Sequence, residues 1–304
     1  MQPNPVLKQL GFSKDDRVVI IHTDDIGMCQ ASIDAFTDMV DYGLISSGAV
    51  MVPCPWFLEA AAYARAHPQA DLGVHLTLTS EWETYRWGPI STRDPASGLL
   101  DEQGFFHKST QAVWQNADPE AAIAELEMQI SRALEAGINL THLDTHMGTV
   151  AHPKLIPGYI QLATRYNLPA MIPRLSTEEL IAVADVDDET AQMFTGMIDM
   201  LEEMGLPLLD ELSGLDLVEP EGRLDQAKAA LSALKPGLTH FIIHPSKDTP
   251  ELRRITSSWA CRVADYETFT SDAMRDFIRA EGIQVIGYRG LKALMPTTTD
   301  NDLL

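Results

Sequence analysis

Short apolar runs alternating with amphipathic stretches set the rhythm of this chain. Residues 17–22, RVVIIH, are β-branched and end in polar positions, and residues 31–42 behind them carry apolar side chains at helical spacing, which predicts a strand and then a helix. The order recurs with a strand at 45–52, a helix at 56–66, a strand at 71–76, a helix at 119–136 and a strand at 140–144. It continues with a helix at 157–166, a strand at 170–172, a short strand at 208–210 and a helix at 224–234. The run FIIH ending at His244, a helix at 271–281 and a last strand QVIGY complete the pattern. Strand followed by helix, with apolar strands, predicts a parallel sheet covered by helices. About eight such strands predict an α/β fold of the (β/α) barrel type, TIM-barrel-like and open to distortion.

Two segments break the rhythm and read as long insertions: 80–115, which holds Trp82, Tyr85, Trp87, Phe105, Phe106 and Trp114, and 176–205, dense in Asp, Glu and Met. The aromatics of the first build either a small satellite core or the stacking walls of a substrate site.

Composition narrows the function classes. With 304 residues, 45% of them hydrophobic, the chain can bury a large core, and a single domain over 1–304 is expected. The formal charge of -22 repels phosphate backbones and anionic headgroups, and Lys and Arg form no run longer than Arg253 and Arg254, which excludes nucleic acid and membrane as partners. No signal-like N-terminus and no membrane-length apolar stretch is present, so a cytoplasmic location is expected. Cys29, Cys54 and Cys261 are odd in number and lack CxxC spacing, which fits neither a disulfide framework nor a structural zinc site; Cys29 reads as packing.

Four polar constellations fall at the carboxyl ends of predicted strands, where (β/α) barrels place their active sites. They are HTDDIG, GVHL, THLDTH and IIHPS. Asp24 and Asp25 precede Gly27, so a sharp turn can aim the two carboxylates differently, one to a metal and one to a proton. His75 ends an apolar strand. His142, Asp144 and His146 share a face if the strand continues, while at helical spacing His142 and His146 would pair; both arrangements favour a metal, with Asp144 able to hold an imidazole. His244 precedes Pro245, which disfavours helix there, and its imidazole suits a proton donor near neutral pH.

These residues carry a resemblance to the YdjC-like carbohydrate deacetylases, relatives of the polysaccharide deacetylases. HTDDIG is similar to that family's NADDFG, GVHLTLT to its GLHLNLT, THLDTH to its THLDSH and IIHPS to its MCHPG, in the same order and over nearly the whole chain. The resemblance implies Asp25, His75 and His146 as metal ligands, Asp24 as general base and His244 as general acid. Arg262 falls where the family carries an arginine near the site, and His142 and Asp144 join it as candidates for contacting ligands or substrate. Many relatives follow THLDS with consecutive histidines, whereas Met147 and Gly148 follow His146 here.

The implied activity is metal-dependent removal of an acetyl group from an N-acetylated sugar of the chitooligosaccharide type. One divalent metal ion is expected, zinc or magnesium, with cobalt, nickel or manganese as further candidates; two imidazoles favour the transition ions. The expected partner is a small carbohydrate, and a homodimer is the base-rate expectation. Competing readings are a hydrolase of another amide or a phosphoester, a sugar-binding relative without catalysis, and an iron oxygenase, which the strand–helix alternation disfavours.

Overall fold

In the computed structural model, which describes residues 3–184 and 187–296, strand β1 (Arg17–Ile26) runs through the middle of a parallel sheet. The other strands are β2 (Ser47–Val50), β3 (Leu72–Leu76), β4 (Leu143–Thr145), β5 (Glu211–Gly214), β6 (Gly237–Ile243) and β7 (Gln284–Val285). The order is β4-β3-β2-β1-β6-β5, and β7 pairs with the start of β1 at Val18 and Val19. The sheet curls into a distorted barrel. Residues 169–174 link its two edges: Leu143 N–H donates to Pro169 C=O and Met171 N–H to Leu143 C=O on one side, while Leu209 N–H donates to Ile172 C=O and Arg174 N–H to Leu209 C=O on the other.

Period-two alternation along the strands separates two cores. Val19 and Ile21 of β1, Val74 and Leu76 of β3, and Phe241 and Ile243 of β6 belong to a large cluster shared with the surrounding helices, among them Gln30–Tyr42 and Pro119–Glu135. Val18 and Ile20 have the opposite parity and join Leu209, Leu238, Tyr288 and Leu291 in a small inner cluster closed by Val6 and Leu7. Further along that same inward face come His22 and Asp24. The barrel interior is thus apolar at the amino ends of the strands and polar toward their carboxyl ends.

Several local expectations change. Residues 170–172 form bridges rather than a strand, because each flank offers only one or two pairing positions. The strand expected at 208–210 begins at Glu211, and QVIGY is extended only at Gln284–Val285, with Tyr288–Lys292 helical. The 176–205 segment holds the helices Thr177–Ala184 and Asp188–Glu203. The expected domain extent includes residues 1–2, 185–186 and 297–304, which lie outside the described residues. No described helix is long and apolar enough to cross a membrane.

Gly73 marks how tightly the inner layer is packed: a Cβ there would sit 2.6 Å from the His142 ring and 2.6 Å from its carbonyl oxygen. Gly73→Ala is therefore expected to destabilise the protein by about 1–3 kcal/mol, the usual range for overpacking. Chemical denaturation checks it; an unchanged midpoint would mean that β3 and β4 can move apart freely.

Candidate metal and active site

The carboxyl end of β1 is built so that two consecutive acids serve one cavity. In a regular strand Asp24 and Asp25 would point to opposite faces, but Asp25 has a left-handed backbone (φ 62°) and the β1–β2 register shifts between Thr23 and Ile26. Asp is one of the few side chains that tolerates this conformation, and such backbone strain concentrates at functional sites. Both carboxylates consequently line a cavity of about 350 Å³ together with His75, Glu81, Trp82, His146, His244 and Arg262.

Asp25 Oδ1 lies 3.5 Å from His75 Nε2 and 3.2 Å from His146 Nδ1, and these three buried donor atoms are all within 4.8 Å of one another. The remaining oxygen, Oδ2, takes a 2.7 Å hydrogen bond from Arg262, so Arg262 acts on Asp25 from behind. Each imidazole is held by a carboxylate on its other nitrogen: His75 Nδ1 lies 3.0 Å from Asp144 Oδ1, and His146 Nε2 lies 3.1 Å from Glu81 Oε2. Metal-binding histidines use this arrangement to fix ring orientation and basicity.

The residues fit a cation on electrostatic grounds. Asp25 Oδ1 is fully buried without a hydrogen-bond partner. Burial pushes His146 down, but Glu81 and Asp25 outweigh it and raise the imidazole to about 9; His75 is likewise raised well above the ordinary range by Asp144 and Asp24 against the effect of burial. The carboxylates thus draw positive charge into the site, and a divalent ion would compete with those protons.

Asp24 Oδ2 lies 3.7 Å from His75 Nε2 and 3.8 Å from His244 Nε2, while its Oδ1 is bonded to His22 Nδ1 at 2.8 Å. Burial opposes ionisation of Asp24, yet His75 and the bond from His22 overcome it and hold the carboxyl well below the usual carboxylate range. His244 follows β6 directly; its backbone N–H donates to Asp265 and its Nδ1 is buried without a partner. Burial keeps this imidazole below its ordinary value despite Asp24 and Asp25.

His142 stands apart. Residues 143–145 are strand, which puts His142 on the inward face below Asp144 rather than beside His146 as a helical pair; there it stacks on Tyr288 with ring centroids 3.9 Å apart. The aromatics of 80–115 divide between roles: Trp87 and Phe106 are buried, while Trp82 lines the cavity with the Arg262 guanidinium 5.9 Å from its ring centre. Met147 also lines the cavity, half-exposed, on a left-handed turn with Gly148. Cys29 is buried and its thiol is pushed up to about 11 by burial, which leaves it inert.

Sequence reasoning missed Glu81, and it missed His22 and His240, whose ring nitrogens form a buried group with the carboxylates of Asp24 and Asp144. Glu81 sits in the loop after β3, where the SEWE stretch reads as solvated acid; His22 and His240 sit inside strands, and only their shared parity with Asp24 and His244 hinted at the interior. Glu81→Gln keeps the shape but loses the charge on His146. It is expected to weaken cation binding by 10- to 100-fold, the usual effect of removing such a partner; titration with zinc measures this, and unchanged affinity would reduce Glu81 to a wall of the cavity.

The chain is similar to known proteins along most of its length. A family model described as YdjC-like protein matches residues 18–280. A carbohydrate deacetylase of Thermus thermophilus is 34% identical over 274 residues, covering 89% of this chain and 92% of that protein. One from Thermoanaerobacter pseudethanolicus is 26% identical over 279 residues, covering 91% and 100%. Among solved structures, an Enterococcus faecalis V583 protein provisionally assigned to cellobiose-phosphate cleavage aligns over 91% of this chain and 99% of its own, with a TM-score of 0.72 and 23% identity, a likeness of fold.

Proposed function

The chain belongs to the YdjC-like protein family, and from that premise we propose that it is a metal-dependent hydrolase that removes the acetyl group from an N-acetylated sugar or oligosaccharide, releasing acetate. Carbohydrate deacetylation, hydrolysis of an amide bond, is the activity for which its relatives are named. The observation that carries the reading is the convergence of the buried Asp25, His75 and His146 on one point of the cavity, with a second carboxylate, Asp24, beside it.

Asp25, His75 and His146 would hold the divalent ion, which when bound supplies Lewis acidity toward the attacking water and the acetamide carbonyl. Asp24 Oδ2 takes the proton of that water. A carboxyl held so far below its usual range keeps a proton poorly, and the neighbouring acceptor is His244 Nε2, 3.8 Å away. His244 is neutral before attack because burial disfavours its charged form, so it is free to receive that proton and to deliver it to the departing amine. The step balances: one proton of the water reaches the amine through Asp24 and His244, the acyl carbon keeps the hydroxyl, and the second proton is lost when the acetic acid so formed ionises to acetate.

Arg262 offsets one negative charge on Asp25 and fixes which of its oxygens faces the imidazoles. Trp82 offers an aromatic face at the cavity wall and Ser257, Ser258 and Thr256 offer polar groups, the combination that recognises a sugar ring and its hydroxyls. The chitooligosaccharide type follows from the resemblance of the four motifs, with Met147 making the wall beside His146 more apolar than a run of histidines would.

The test is acetate release from diacetylchitobiose and a panel of other N-acetylated sugars, with metal-replete and chelated protein side by side. Release that depends on metal is expected. No release across the panel would turn the assignment toward another amide, a phosphoester or a sugar-binding relative.

A further inference from the structure

Below the cavity a buried hydrogen-bond chain runs along the barrel interior. Asp71, just before β3, accepts through Oδ1 from the Thr141 hydroxyl at 2.6 Å. Thr141 Oγ1 lies 3.0 Å from His142 Nδ1, His142 Nε2 lies 2.8 Å from His22 Nε2, and His22 Nδ1 lies 2.8 Å from Asp24 Oδ1. His22 and His142 are both fully buried, so no water competes along this path.

Counting donors assigns the protons along the chain. Thr141 has one hydroxyl proton and Asp71 takes it, so His142 Nδ1–H must donate to the Thr141 oxygen. With its Nδ1–H given to Thr141, a neutral His142 leaves its Nε2 bare, and burial, which holds this imidazole well below its ordinary range, favours that neutral form. A 2.8 Å contact between two ring nitrogens then needs its proton from His22. At the other end the Asp24 carboxylate has no proton to give, so His22 Nδ1–H donates there as well. On this count both nitrogens of His22 serve as donors, and the Asp144 Oδ2 oxygen, otherwise without a hydrogen-bond partner, lies 3.6 Å from His22 Nε2. The His240 ring, 4.4 Å away, and the Tyr288 ring, 6.2 Å away, complete the surroundings.

We propose that His22 is the positioning residue of this site: its two ring N–H groups tie Asp24 Oδ1 to the chain anchored at Asp71, leaving Asp24 Oδ2 as the one oxygen presented to His244 and the reacting water. The inference rests on reading Asp24 as the base. A carboxylate free to rotate would share both oxygens between these directions; the tie removes that freedom before substrate arrives.

The experiment has two arms. In the first, ring-nitrogen NMR of the wild-type protein, loaded with zinc at neutral pH, is expected to show protons on both His22 nitrogens and a bare Nε2 on His142; a bare nitrogen on His22 overturns the proposal whether or not any sugar is turned over. In the second, His22→Leu is expected to lower kcat by 10- to 100-fold, the usual range for an orienting partner, with KM and metal content unchanged. His22→Asn, whose amide N–H can stand in for Nδ1–H, is expected to recover most of that loss. Equal losses in the two variants would reduce His22 to packing and overturn the proposal, as would full activity in His22→Leu. Absence of acetate release from wild type, with the NMR result intact, would count against the deacetylase reading and not against the hydrogen-bond chain.

Discussion

Asp24→Asn is expected to keep its metal and lose 10²- to 10⁴-fold in kcat, the range general-base catalysis contributes. The substitution preserves shape: the amide oxygen can still accept from His22 Nδ1, 2.8 Å away in the native site, and the amide nitrogen occupies the place of Oδ2. That nitrogen cannot take a proton from water, nor pass one to His244 Nε2 across the 3.8 Å that separates the native pair. Metal content should be unaffected, because the group assigned to the metal is Asp25, His75 and His146, whereas Asp24 falls in a separate buried group with His22, Asp144 and His240. Acetate release and metal analysis on the same preparation decide it. Near-normal turnover would remove Asp24 from the chemistry, and loss of metal would make it a ligand.

The second large effect concerns the cation itself. His146→Ala leaves two of the three donors of this group, Asp25 and His75, and strips the partner from Glu81, whose carboxylate is largely enclosed. Two donors do not hold a catalytic divalent ion against dialysis, so metal below stoichiometry and loss of measurable turnover are expected. The fold should survive, because His146 opens a single 3₁₀ turn at the end of β4 and the large core lies elsewhere. Stoichiometric metal in this variant would require a different third ligand. His142 is a poor substitute, since its two nitrogens are engaged by Thr141 and His22 on the far side of Asp144.

The fold was legible where it depends on local pattern. Apolar runs of strand length separated by amphipathic helices are readable residue by residue, and they placed β1, β2, β3, β4 and β6 and most of their helices. Residues 169–174 were read only as a strand at 170–172; that they bridge the two sheet edges instead is decided by Leu143 on one side and Leu209 on the other, partners distant in sequence. The helix Trp259–Phe269, which carries Arg262, was passed over for a related reason: its apolar stripe is interrupted by Arg262 and Asp265, buried charges that only their partners Asp25 and Arg223 make tolerable.

Sequence by itself determined the alternation of strand and helix, and it identified Asp24, Asp25, His75, His146 and His244 as polar groups at the mouths of apolar strands. Those properties follow from side-chain periodicity, which is a local property of the backbone. Only the tertiary structure decided that Asp25 turns left-handed so that both acids face one cavity, that Glu81 and Asp144 each hold one imidazole, that Arg262 lies behind Asp25, and that His22 joins Asp24 to Asp71 through the barrel. Each of these is a hydrogen bond or ion pair between chain segments brought together by strand order and register, and no local pattern encodes which buried donor will meet which acceptor.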